Sequence, residues 1–288
     1  MQTGPSGALA VALARHRLAV LAAPALGFYV LFFGWPVLQM LWQSVWSDGW
    51  SLSGYVEFMK HVGYWYVLAY TLGLGIVCLV LTLVIGYPVA LWLVRIGQRW
   101  AVLMMTFVLV PFWSSGLVRN YAWVVILGRN GVLNHFLVKT GLIAHPVELL
   151  GTNFAVTVGL VYYLLPYMIL CLYNVMSAID MNLVRAARSL GASPAKAFFL
   201  VFVPLTRPGI FAGSFLVFML AIGMYITPAM LGGPPQTTIP LVIADQIDQA
   251  LDWSFAAALS VILLFVTVCL QIVSSKYVNF DRMWGGAR

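Results

Sequence analysis

Asp180-Met-Asn-Leu-Val-Arg-Ala-Ala-Arg-Ser-Leu-Gly-Ala-Ser-Pro-Ala-Lys-Ala-Phe-Phe-Leu-Val-Phe-Val-Pro-Leu-Thr-Arg-Pro-Gly209 is a polar, basic stretch set between two long apolar runs. Asp180 is placed to cap a helix from about Asn182 to Leu190, because an N-cap carboxylate accepts from the free N–H groups of the first turn. Leu183, Ala186, Ala187 and Leu190 recur at i, i+3, i+4 and i+7 and share one apolar face, with Arg185, Arg188 and Ser189 opposite. Gly191 stands just past the last turn, where a left-handed residue closes a helix with least strain. Ser193-Pro194 then reads as a second N-cap with proline at the first helical position. This second helix runs roughly to Val203 and buries Ala197, Phe198 and Phe202 or Val201; Pro204 and the Arg207-Pro-Gly209 turn end it. Connections between bundle helices usually take about 2–8 residues. So long an island, carrying a small Ala186-Ala187 pair that permits close approach, is the shape of a docking element.

Outward from it the chain is built for hydrocarbon. Of 288 residues 62% are hydrophobic and 8% charged, against roughly a quarter charged in ordinary globular domains. Uncharged runs recur that are long enough to cross a bilayer, which takes about 20 residues. They predict an all-α integral membrane protein of six spans, at about 18–46, 64–94, 100–127, 151–177, 209–230 and 253–275. The runs are continuously apolar rather than alternating, which excludes a barrel. Around the spans lie an N-terminal segment 1–17, the loop 180–208 and a C-terminal tail 276–288.

Lys and Arg set the orientation. With both termini cytoplasmic, the inner segments hold Arg15, Arg17, Arg95, Arg99, Arg185, Arg188, Lys196, Arg207, Lys276, Arg282 and Arg288, which is 11 of 15 basic residues. The net charge of +7 is therefore the positive-inside bias and gives no basic face for nucleic acid. Arg15-His-Arg17 before an apolar stretch resembles a signal peptide, but the stretch is about twice an h-region's length and reads as a retained first span. Cys78, Cys171 and Cys269 fall singly within spans and suggest neither a disulfide framework nor a metal site.

The spans differ in character. Trp35, Trp42, Trp46 and Trp50 form an interfacial belt at the outer end of the first, and Asp48 to Lys60 follows as an exposed connection. Pro88, Pro111, Pro166 and Pro228 interrupt later spans; such bends suit helices lining a pathway and equally suit ordinary bundle curvature. The third span leaves the bilayer near Arg119, with Tyr121 and Trp123 at headgroup level; Gly128-Arg-Asn-Gly131 turns, and Val132 to Val138 forms a short surface helix. Thr227-Pro-Ala-Met-Leu-Gly-Gly-Pro-Pro235 reads as an irregular outer loop. Asp245, Asp248 and Asp252 share one face of a short external helix.

The island 180–209 resembles the so-called EAA loop of membrane subunits of binding-protein-dependent ABC importers. Arg185-Ala186-Ala187, Gly191 and Val201-Phe202-Val203-Pro204 follow its pattern, with Arg185 where the family carries Glu. Pro111-Phe-Trp-Ser-Ser-Gly-Leu-Val-Arg-Asn-Tyr-Ala-Trp123, continuing to Asn134, and Tyr225-Ile-Thr-Pro-Ala-Met-Leu-Gly-Gly233 look like the corresponding stretches of polyamine (spermidine/putrescine)-type permeases. The resemblance covers nearly the whole chain. It implies a MetI-type permease fold, a place in the bacterial inner membrane, and one of two membrane subunits, commonly a heterodimer. It also implies two cytoplasmic ATPase subunits that bind ATP and Mg, and an extracytoplasmic substrate-binding protein. On this likeness the ATPase-coupling residues are Asp180, Asn182, Leu183, Arg185, Ala186, Ala187, Leu190, Gly191 and Pro204. The candidate translocation-pathway residues are Arg119, Asn120, Tyr121, Trp123, Tyr225 and Thr227.

The residues agree with that division of labour. None of Lys60, Lys139, Lys196 or Lys276 ends a G-x-x-x-x-G-K-[ST] run, so no phosphate-cradling loop of that kind is encoded. No intramembrane ladder of Asp, Glu or His serves ion coupling, and His16, His61, His135 and His145 lack metal-ligand spacing. The chain is expected to be no enzyme and to need no cofactor of its own. The substrate is expected to be a polyamine or similar small polar solute, with Tyr121, Trp123 and Tyr225 able either to stack on a cation or simply to anchor the interface. A secondary carrier or channel is the alternative from another class.

Overall fold

The structure, a computed structural model, describes residues 23–46 and 49–277, without the side chains of 273–277. Segment 1–17, the first residues of the first span, Asp48 and tail residues 278–288 lie outside the described residues. The helices are α1 (Ala23–Gln43), α2 (Ser53–Lys60), α3 (Val62–Arg95), α4 (Gln98–Trp113), α5 (Gly116–Leu127), α6 (Val132–Lys139), α7 (Asn153–Ser177), α8 (Met181–Ser189), α9 (Pro194–Ile222), α10 (Ile226–Leu231), α11 (Ile239–Asp248) and α12 (Trp253–Tyr277). Five of these are long and apolar enough to cross a membrane, and α4 with the α5–α6 pair makes a sixth, bent by 94°. Among the described residues the backbone pairs in β fashion at one isolated bridge, between Trp46 and Trp50.

The core is the mutual packing of α3, α7 and α9. In lipid no hydrophobic force drives helices together, so close approach over small residues does that work. Met168 of α7 occupies the centre, fully buried. A Cβ at Gly86 of α3 would lie 3.1 Å from Met168, and one at Gly213 of α9 only 2.7 Å from its sulfur. One turn below Gly213, a Cβ at Gly209 would press on Val175 at 3.0 Å. Gly209 and Gly213 thus form a small-xxx-small face against α7. A second cluster joins Phe58 of α2, Leu68 of α3, Ile239 of α11 and Phe255 and Leu259 of α12.

Several features depart from the sequence reading. The third span is not one helix from residue 100 to 127: Ser114 is extended (φ −88°, ψ 143°) and separates α4 from α5. Asp48 to Lys60 is not simply an exposed connection, since Ser53–Lys60 is helical and buries Phe58 and Gly54. A Cβ at Gly54 would lie 3.0 Å from Ala258 of α12. Pro204 and Pro208 do not end the helix begun at Pro194, which continues unbroken to Ile222. Proline lacks an N–H and its ring crowds the preceding turn; a π turn over Phe198–Phe202 widens the backbone just ahead, and Val203 N–H reaches back to Phe198 O. Thr227 and Pro228 lie in helix α10 rather than an irregular loop. Asp252 is not on the helix of Asp245 and Asp248, and instead caps α12 by accepting from Phe255 N–H at 2.9 Å.

Candidate functional site

Two regions hold the residues singled out by sequence. The first lies where α5 and α10 meet the α7 core helix. Arg119, on the first turn of α5, donates from Nη2 to Ser114 O at 2.8 Å and from Nε to Ser114 Oγ at 3.3 Å. Its guanidinium lies 4.9 Å from the centroid of the Tyr163 ring on α7. The carbonyls at the end of α4 lack intrahelical partners, and a fixed cation there is favourable both by hydrogen bond and by the helix dipole. Arg119 therefore clamps the break and ties it to α7. Its Nη1 is buried and has no hydrogen-bond partner among the described residues. Tyr163 continues through its hydroxyl, 3.5 Å from that of Tyr167, whose ring packs on Phe112 of α4.

Asn120 faces the other way. It is buried, donates to Gly116 O at 2.9 Å, and approaches α10 across Gly159 of α7. A Cβ at Gly159 would run into Leu231 and lie 2.9 Å from Thr227, so glycine is what lets Thr227 bury there. Trp123 packs edge-on against Tyr162 at 5.7 Å. Tyr121 is 63% and Tyr225 43% exposed; Tyr225 stands at the short break between α9 and α10. The structure thus gathers Arg119, Asn120, Trp123 and Thr227 around one stretch of α7 and leaves the two tyrosines exposed.

Sequence reasoning missed three groups here. Gly159 is one. Asn153 and Gln236 are the others: Asn153 Oδ1 accepts from Tyr70 OH at 3.0 Å and from Gln236 Nε2 at 3.2 Å, while Gln236 Oε1 accepts from Gly233 N–H at 3.1 Å. Their knot ties α3, α7 and the turn after α10. Asn153 follows Thr152, whose hydroxyl caps α7, and that cap was the available signal.

The second region is the elbow α8–α9. Asp180 Oδ1 accepts from Asn182 N–H at 2.9 Å, and Ser193 Oγ from Lys196 N–H at 3.3 Å. Gly191 takes φ +91° with open space around its α-carbon, and Ala192 N–H returns to Ala187 O at 3.1 Å. Val184 and Phe198 pack on the bundle core. Leu183, Ala186 and Leu190 turn away from it; Leu183 is 50% and Leu190 89% exposed. Asn182 and Arg185 are exposed beside them, Ala187 is half-buried, and Pro204 lies in the spanning helix, away from the elbow tip.

A helical bundle with glycine-packed spans, a broken span clamped to the core and a solvent-facing amphipathic elbow defines the membrane-embedded part of a transporter. The chain belongs to the family of binding-protein-dependent transport system inner membrane components, whose family model matches residues 82–282. It is 34% identical over 264 residues to the spermidine/putrescine transport system permease protein PotB of Escherichia coli strain K12, covering 88% of this chain and 96% of that one. It is 37% identical over 213 residues to PotB of Haemophilus influenzae, covering 74% and 73%. A solved chain of a bacterial ABC transporter involved in the import of the acidic polysaccharide alginate superimposes with TM-score 0.80 at 16% identity, covering 96% of this chain and 99% of that one; at that identity the likeness establishes the fold. The protein is thus a multi-pass inner-membrane permease subunit of an importer.

Proposed function

We propose that this permease forms a translocation pathway with a second membrane subunit and is driven by ATPase subunits docked on the α8–α9 elbow. ATP and its Mg ion would bind in those partners, and an extracytoplasmic binding protein would deliver the solute. The observation that carries the reading is the exposed stripe Leu183, Ala186 and Leu190 on a doubly capped short helix. Amphipathic helices seat such i, i+3, i+7 anchors in a partner's groove. Because α9 is continuous, a push on the elbow is delivered along one rod from Pro194 to the break at Gly223. There it meets α10, which packs on α5 and α7. That is a route from an ATP-driven closure to alternating access. The similarity to PotB proteins supports a polyamine, or a small cationic solute like it, as substrate.

The test pairs Leu183→Asp with Leu190→Asp. Both side chains are exposed, so insertion and abundance should be unchanged while co-purification of ATPase subunits and solute uptake fall at least about tenfold, the usual scale for losing two interface anchors. Undiminished ATPase assembly would remove the elbow from the mechanism.

A further inference from the structure

Away from the α5–α10 region, a groove of about 410 Å³ opens between the end of α1 and the start of α12, lined by Gln43, Trp46, Leu251, Asp252, Trp253 and Ser254 among others. An interfacial belt accounts for scattered tryptophans, but these are organised. The ring centroids of Trp42, Trp46 and Trp50 lie 5.4, 6.1 and 5.8 Å apart pairwise, and a backbone bridge joins Trp46 to Trp50. Ser254 Oγ donates to Gln43 O at 3.3 Å, fastening the opposite wall to α1. Leu251 holds φ +55°, the one left-handed non-glycine among the described residues. Such strain persists where the surroundings impose it, often at ligand sites. It turns the chain so that Asp252 and Trp253 both border the groove. Asp252 spends Oδ1 on the α12 cap and remains exposed. Trp46 and Trp253 line the groove beside the Asp252 carboxylate, and indole rings next to a carboxylate are the chemistry that holds an ammonium group.

We infer that this groove binds an alkylammonium head on the outer face of the protein. It deepens the polyamine reading, on which it rests only for the identity of the free ligand: a second, peripheral contact for the amine, separate from the α5–α10 region. A lipid ethanolamine head offers the same chemistry, and the test separates the two sources.

The assembled transporter, purified through this chain without its binding protein, is held in phosphatidylglycerol nanodiscs. Saturation transfer from indole protons to the methylenes of 1,4-diaminobutane is recorded, with 1,4-butanediol as the neutral control. Transfer to the diamine but not the diol is expected, falling about tenfold in Asp252→Asn, Trp46→Leu and Trp253→Leu and surviving in Trp253→Phe, because a π face and a charge are both required. Asp252→Asn keeps an oxygen for the helix cap, so its loss of signal would not report unfolding. Equal transfer in all variants, or equal transfer to the diol, overturns the site. Replacing half the lipid with phosphatidylethanolamine abolishes the diamine signal if the lipid head is the occupant and leaves it if the free amine is. Polyamine uptake is measured in parallel. Uptake without groove transfer rejects the site and spares the proposed function; groove transfer without uptake of any amine does the reverse.

Discussion

Arg119 shows how a single side chain holds the broken span. Its guanidinium satisfies Ser114 O at 2.8 Å and lies on Tyr163, so truncation frees a helix-end carbonyl and loosens α4 from α7. A hydrogen bond to a charged group contributes about 1.5–3 kcal/mol. Arg119→Ala should therefore lower the thermal unfolding midpoint in detergent and slow uptake. Arg119→Lys should recover only part of either, because ammonium cannot reproduce the guanidinium fork or its stacking. Gly213→Leu should be worse for stability, since its Cβ alone would stand 2.7 Å from the Met168 sulfur in a fully buried place. Overpacking of this kind costs about 1–3 kcal/mol or more, read as loss of folded protein by size-exclusion chromatography. At this scale the sequence was half legible. Arg119 and Asn120 stood out by family likeness, but Ser114, Tyr163 and Gly159 are their partners only because the chain breaks and doubles back. Gly209-Ile-Phe-Ala-Gly213 carried a readable small-xxx-small spacing, masked by the apparent stop at Pro208-Gly209.

Among the elements, the elbow was the most readable, because local rules govern it. Asp180 and Ser193 cap their helices and Gly191 is left-handed, each as its residue type and position dictate. Gly191→Ala meets no neighbour but forces φ +91° on a side chain, a cost of about 1–2 kcal/mol. It should shift the hinge enough to reduce uptake while leaving the chain in the membrane, measured as transport per inserted copy. Gly191→Pro should abolish it. Where elements depart from the sequence reading, long-range packing overrode a local stop. Pro204 rides inside α9 because the carbonyl its ring would crowd, that of Leu200, lies in the widened π turn at Phe198–Phe202, and Pro208 continues the same helix. The segment 53–60 is helical because Gly54 and Phe58 bury against α12. Asp252 leaves the face of Asp245 and Asp248 because Leu251 reverses the chain.

For the whole molecule, class and span count follow from hydropathy alone, and the fold adds the wiring: three glycine-packed spans, a clamped break and one continuous rod from elbow to break. The exposed Tyr121 and Tyr225 and the exposed leucines of α8 are surfaces that a single chain does not cover, in keeping with a subunit that works in company. The central claim is that transport energy enters through partners. The most direct measurement is uptake of radiolabelled putrescine into proteoliposomes enclosing ATP, first with this chain and its sister permease alone, then with ATPase subunits and binding protein added. Uptake only in the complete mixture, and only with hydrolysable ATP, is expected; accumulation by the membrane subunits alone would contradict the account.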